Sequence, residues 1–383
     1  MAMYAAPYDE GVDVGERIED FGLKVERVRA LLRNLDVSGC LLSLSHNFAW
    51  LSGGGRNHIL LASEGGVGSL FVNATRVLLL TNNIEGQRLL HEELAGLPIE
   101  LLDEPWYEPG ETEAVLAAIV GPGATFLRDT NTAVEKRLAQ LRQSLTPLDI
   151  KRYRALGRHC SQVVTDVADS VRRGVSEWSL AGQLHQRALE HGIDVVVVLV
   201  AADERLDNIR HPLPTTKLVR EKAMLVLCGR RGGLICSLTR IVCVSSEVPE
   251  DLRARHHAVT YVDATALAAT RPDAIASDIF RAIQRAYATS GYPNEWKLHH
   301  QGGGTGYKSR EWKADASNHE IVAPLRAFAW NPSIAGTKSE DTVLLLADGQ
   351  LEVLTQAPST WPMLHHVVDG VEIARPDILH RPS

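Results

Sequence analysis

Between positions 299 and 312 the chain reads His299-His300-Gln301-Gly302-Gly303-Gly304-Thr305-Gly306-Tyr307-Lys308-Ser309-Arg310-Glu311-Trp312. Two imidazoles, an amide, a phenol and a guanidinium flank four glycines, a composition that serves neither core burial nor strand propensity. Glycine allows another group to approach the backbone closely. The stretch therefore suits a backbone held against a ligand among polar side chains, or alternatively a tight strand crossing. It lacks the spacing of a phosphate-cradling P-loop. An imidazole that is neutral near pH 7 can take a proton from water and return it to a leaving nitrogen, so acid–base chemistry is within reach of such a segment.

The remaining composition narrows the class. At 383 residues, with 45% hydrophobic and 23% charged residues, the chain has the length for two domains, each with its own core. A formal net charge of −7 and a pI near 6.1 argue against a general nucleic-acid partner, which requires a basic face. Met1 to Asp20 is acidic without a signal-peptide apolar core, and the longest apolar run, Val195 to Ala202, is too short to span a bilayer. The expectation is a cytoplasmic protein with no membrane partner. Five cysteines (Cys40, Cys160, Cys228, Cys236, Cys243) include no CxxC pair, so they read as reduced, buried thiols.

The hydrophobic periodicities predict an α/β (α+β) chain. Arg17 to Asn34 has helical spacing and Val37 to Leu44 reads as a buried strand. Strands are expected at His58–Ala62, Gly68–Val72, Arg76–Thr81 and Thr125–Arg128, and helices at Gln87–Leu94 and Glu113–Ile119. Thr146 as N-cap, Pro147 and Asp149 start a long helix running to about Arg173, which places a domain boundary between 1–145 and 146–383. A helix from Ser179 to His191 follows, capped by Ser176. Then come strands at Val195–Val200, Met224–Cys228, Gly233–Ser237 and Ile241–Ser245, and helices at Pro249–Ala269 and Asp278–Ser290, the latter with Ser277 as N-cap. Arg326–Asn331 and Asp341–Leu346 read as closing strands, with Gln350–Leu354 completing a hairpin at Asp348-Gly349.

From about Thr146 to Thr355, the order and separation of Leu145-Thr146-Pro147-Leu148-Asp149, Arg173-Gly174-Val175-Ser176-Glu177, the glycine stretch and Ser339-Glu340-Asp341-Thr342 resemble the creatinase/aminopeptidase P superfamily. The resemblance implies a pita-bread catalytic domain at 146–383 behind a creatinase-type α/β domain at 1–145, and a homodimer. In most of that superfamily two Asp, one His and two Glu hold two metal ions. Here the matching positions carry Leu227 or Cys228, Ser237, Gly303, Asn331 and Glu340. One carboxylate cannot hold a pair of divalent cations, so no metal or other cofactor is expected.

Two histidines of the superfamily site persist, His211 in a polar loop and His299. By resemblance to metal-free creatinase, His211 is the acid/base, His299 supports it and Glu340 helps hold the substrate. Creatinase has a Glu where this chain has Thr239. Arg310 offers a carboxylate two parallel hydrogen bonds. Tyr307, Gln301, Asn331, Ser333 and Lys338 add polar groups around the vacated metal positions. The implied function is metal-independent hydrolysis of a C–N bond in a small polar, amino-acid-like or zwitterionic substrate. Alternatives are a non-catalytic pseudo-peptidase that binds a peptide or small ligand, and a metal-dependent Xaa-Pro aminopeptidase. Each residue also has a structural alternative: a hydrogen bond for His211, a salt bridge with Lys338 or Arg240 for Glu340, and plain surface exposure for Arg310. Cys228 or Cys236 as a nucleophile is disfavoured by their apolar strands.

Overall fold

The computed structural model describes residues 12–108, 110, 112–121 and 123–382; Met1–Gly11, most of the acidic N-terminal stretch, lie outside the described residues. The chain divides into two compact units, whose described parts are residues 12–152 with Gly232–Leu234 and Tyr153–Arg231 with 235–382.

In the first unit the helix Val14–Leu35 opens at a capping box made by Asp13 and Glu16, and buries Phe21, Val25, Val28 and Leu32. Strands β1 (Gly39–Leu44), β2 (Gly65–Asn73), β3 (Val77–Asn82), β4 (Glu100–Glu104) and β5 (Phe126–Arg128) form one sheet in the order β4-β3-β2-β1-β5. The run His58–Ala62, expected as a strand, is a loop. Ile59, Leu60 and Leu61 are exposed there, and the buried Asn57 side chain donates instead to the carbonyls of Gly68 and Ser43. Three adjacent apolar residues make a strand only where a neighbouring strand pairs with them, and β2 begins only at Gly65. The helix Pro147–Ser170 starts as its caps predict, with Asp149 N–H donating to Thr146 Oγ1 at 3.2 Å. Its first turn belongs to the first unit because buried Lys24 pairs with Asp149 at 2.8 Å and Thr146 donates to Asp20.

The second unit contains β6 (Asp194–Ala202), β7 (Lys222–Arg231), β8 (Leu234–Cys243), β9 (Gly302–Thr305), β10 (Arg326–Trp330), β11 (Ser333–Ile334), β12 (Thr337–Lys338), β13 (Asp341–Leu345), β14 (Leu351–Val353), β15 (Met363–Val368), β16 (Val371–Pro376) and β17 (Leu379–His380). One sheet has the order β17-β8-β7-β6 and another β14-β13-β10-β9, with β11–β12 and β15–β16 as separate hairpins. The two strands expected at Gly233–Ser237 and Ile241–Ser245 are the single strand β8, because Leu238, Thr239 and Arg240 between them are also buried. Helix Ala276–Thr289 has Ile275 at its N-cap position, so Ser277 lies inside the helix. Apolar faces of the helices Glu250–Ala269 and Ala276–Thr289 pack with Phe328, Trp330, Val343 and Leu345 into one core.

The glycine stretch is a strand. In β9, Gly303 pairs with Ala329 and Gly302 with Trp330 of β10. A Cβ on Gly302, whose φ is +101°, would lie 2.2 Å from the Ala329 carbonyl oxygen; one on Gly303, whose φ is +154°, would lie 2.2 Å from that of Trp312. Backbone from two directions occupies the space that side chains would need, so these glycines serve a close crossing. Gly302→Ala is expected to cost at least about 2 kcal/mol in denaturant unfolding. Gly182→Ala, in the helix Glu177–Glu190 with open space beside it, should gain roughly 0.5–1 kcal/mol in the same assay.

Candidate active site

Strand register assembles the site. Gly302 faces Trp330, Trp330 faces Asp341, and Asn331 N–H donates to the Gln301 carbonyl at 3.1 Å. Residues 301–303, 330–331 and 340–341 therefore lie in adjacent rows. Thr239 of β8 joins them through an isolated bridge to Glu340, its N–H donating to the Glu340 carbonyl at 3.1 Å.

Glu340 is buried and both its oxygens are engaged. Oε2 accepts from Lys338 Nζ at 2.6 Å and from Thr239 Oγ1 at 2.8 Å, and Oε1 accepts from Arg310 Nη2 at 3.3 Å. Burial alone would raise its carboxyl pKa, but the charges of Lys338 and Arg310 overcome that and lower it to about 2. The salt-bridge reading with Lys338 thus describes Glu340, whose oxygens accept from two internal cations and a hydroxyl. Arg240, the other partner considered, pairs instead with Asp341 at 2.8 Å.

The dinuclear cage of the superfamily does not fit these residues. Glu340 is the one carboxylate among the five positions, and it is already neutralised from within. The Cys228 thiol accepts from the Ser237 hydroxyl at 3.1 Å, and the place of the metal histidine at Gly303 is taken by the backbone of Trp312 and Lys313. Cys228 and Cys236 are both buried, and burial raises their thiol pKa values, which leaves them inert as nucleophiles.

Beside this knot lie three imidazoles. His299, buried, and His211, exposed, meet Nε2 to Nε2 at 2.9 Å; His300 stacks on His299 with ring centroids 4.6 Å apart. Burial, then Lys338 and the neighbouring imidazoles, lower the pKa of His299 to about 3. Burial, then Arg310 and Lys313, lower that of His300 to about 4, and burial with Lys338 also lowers that of His211. All three are neutral bases at pH 7. The Nδ1 atoms of His299 and His300, Arg310 Nε and Asn331 Oδ1 are buried without a hydrogen-bond partner.

The other candidates divide. Gln301 is turned inward, accepting from the Tyr287 hydroxyl at 2.9 Å and donating to the carbonyls of His299 and Trp296, so it braces the crossing and is not free to contact substrate. Ser333 accepts from Arg210 at 3.2 Å and sits opposite Lys338 in the β11–β12 hairpin; Thr239 is spent on Glu340. Tyr307 is 2% exposed. His300 and Lys313 were missed as candidates. The adjacent His299-His300 pair was legible in the sequence, whereas nothing local marked Lys313.

Residues 151–347 match the model of metallopeptidase family M24. The chain belongs to that family. It is 24% identical over 240 residues to the Xaa-Pro dipeptidase of Lactobacillus helveticus, a match covering 60% of this chain and 63% of that relative. The chain thus spans somewhat under two thirds of the length of the curated M24 relative. The Xaa-Pro dipeptidase from Bacillus anthracis superposes with a TM-score of 0.73 at 16% identity, over 94% of this chain and 99% of that one. A dipeptidase from Pyrococcus horikoshii OT3 does so with 0.73 at 19%, over 88% and 98%. These likenesses show the pita-bread fold of the creatinase/aminopeptidase P superfamily.

A carboxyl pKa lowered on folding means that the unfolded chain binds more protons between the folded and unfolded values. Stability from Glu340 is therefore complete above the ordinary carboxylate range and is lost as pH falls towards about 2. Unfolding free energy measured from pH 6 downward should decline in this window, and Glu340→Gln should flatten the decline while lowering stability at neutral pH.

Proposed function

We propose that this M24 member is a hydrolase of peptide-type C–N bonds that works without the family's metal pair, on a small zwitterionic, amino-acid-like substrate. The contact between His211 and His299 carries the reading. At 2.9 Å one imidazole nitrogen donates and the other accepts, so buried His299 fixes the tautomer and orientation of accessible His211. His211 takes a proton from water, the resulting hydroxide adds to the scissile carbon, and His211 returns the proton to the departing nitrogen.

Arg310 and Lys338 supply the positive charge that orients a substrate carboxylate and stabilises the oxyanion formed on addition. Glu340 positions these two cations. The unpartnered Asn331 Oδ1 is an acceptor suited to a substrate N–H. Among the described residues no helix is long and apolar enough to cross a membrane. A cytoplasmic homodimer acting on a small molecule, without nucleic-acid or membrane partners, completes the proposal.

The test uses tag-free protein treated with a chelator and assayed on a panel of N-acyl and amidino amino acids. Turnover should persist after chelation, and His211→Ala should lower kcat by about 10²–10⁴-fold. Unchanged turnover in the variant would remove the assigned role, loss of turnover on chelation would restore a metallopeptidase, and ligand binding without turnover in the wild type would favour a non-catalytic binding protein.

A further inference from the structure

We propose that His211, His299 and His300 form a site for one divalent cation of borderline softness, such as Zn²⁺ or Co²⁺, outside the family's carboxylate positions, and that its occupancy silences the site. The ligand atoms of the three imidazoles lie within 4.8 Å of one another. Two imidazole nitrogens bound to one ion at about 2.0–2.1 Å stand about 3 Å apart when roughly at right angles. His211 Nε2 and His299 Nε2 are 2.9 Å apart.

His211 sits exposed in a loop, while His299 is held by burial and its stack on His300, which supplies the third imidazole. The buried Nδ1 atoms of His299 and His300 lack partners, so the hydrogen bond between His299 Nε2 and His211 Nε2 is the contact a bound ion would replace.

The surroundings select the ion. Lys338 and Arg310 are neighbouring cations, and the carboxylate between them, Glu340, is taken up by both. Mg²⁺ and Ca²⁺, which depend on oxygen ligands, gain nothing here, whereas Zn²⁺, Co²⁺ or Ni²⁺ gains three nitrogen donors. The functional consequence rests on the acid–base role proposed above: a lone pair donated to a metal is not available to water, so the bound ion and His211 catalysis exclude each other.

The experiment takes tag-free, full-length protein stripped by chelation, adds Co²⁺ and then Zn²⁺, and follows bound metal by equilibrium dialysis and Co²⁺ by visible absorption. One equivalent of Zn²⁺ is expected to bind and displace Co²⁺. Affinity should fall at least tenfold in His211→Ala and His300→Ala and more in His299→Asn, and remain within about twofold in the remote His159→Ala. No bound equivalent, or undiminished binding in the exposed-site variant His211→Ala, would overturn the site. Turnover distinguishes the two proposals. Zn²⁺ bound without inhibition removes the acid–base reading and the silencing but leaves the site, whereas His211-dependent turnover in protein that binds no Zn²⁺ removes the site alone.

Discussion

A buried carboxylate must be neutralised where it stands, and in this protein Glu340 is neutralised by side chains. A carboxylate that is 2% exposed carries a large desolvation penalty unless charge and hydrogen bonds surround it. Lys338, Arg310 and Thr239 supply both. Removing one partner of such a buried pair typically costs about 3–5 kcal/mol, because the other charge is left uncompensated. Of the two cations, Lys338 lies on β12 and Arg310 in the loop after β9.

The knot continues inward as a second layer of charge. Arg240 bonds Asp341 at 2.8 Å, Arg375 bridges Asp341 and Asp263 at 2.7 Å each, and Ser339 donates to Asp263 at 2.6 Å. Asp341 directly follows Glu340, so adjacent residues on one strand face opposite sides, one towards Lys338 and Arg310 and the other towards Arg240 and Arg375. Burial raises the pKa of Asp263, and Arg375 works against that rise. The layer ties β13 to β8 and β16 through side chains, next to the isolated bridge that joins Glu340 to Thr239.

The crossing at β9 sets the other wall. Because Trp312 and the β10 backbone fill the space beside Gly302 and Gly303, the polar groups left to face a ligand are the imidazoles before the glycines and the guanidinium after them. The short, all-glycine face brings backbones together that no other residue type would allow. His299 and Arg310 flank that short strand on either side, so its fixed register sets where both side chains start.

Much of this organisation was legible in one dimension. The Thr146/Asp149 helix start, the Asp348-Gly349 hairpin and the ordered succession of motifs carried the pita-bread layout, since caps, turns and periodicities are local signals. The residue types at the five positions matched to the superfamily, with Glu340 the one carboxylate among them, were legible too. The run Ile59–Leu61 was misread because its neighbours in space, not its own composition, decide whether it is a strand. Other questions were settled only by strand register, which brings together residues far apart in the chain: whether Lys338 or Arg240 pairs with Glu340, what occupies the space beside Gly303, and whether His211 meets His299. Charged and polar side chains have many candidate partners in a sequence. Burial makes the choice among them, by penalising every polar group that the fold leaves without one.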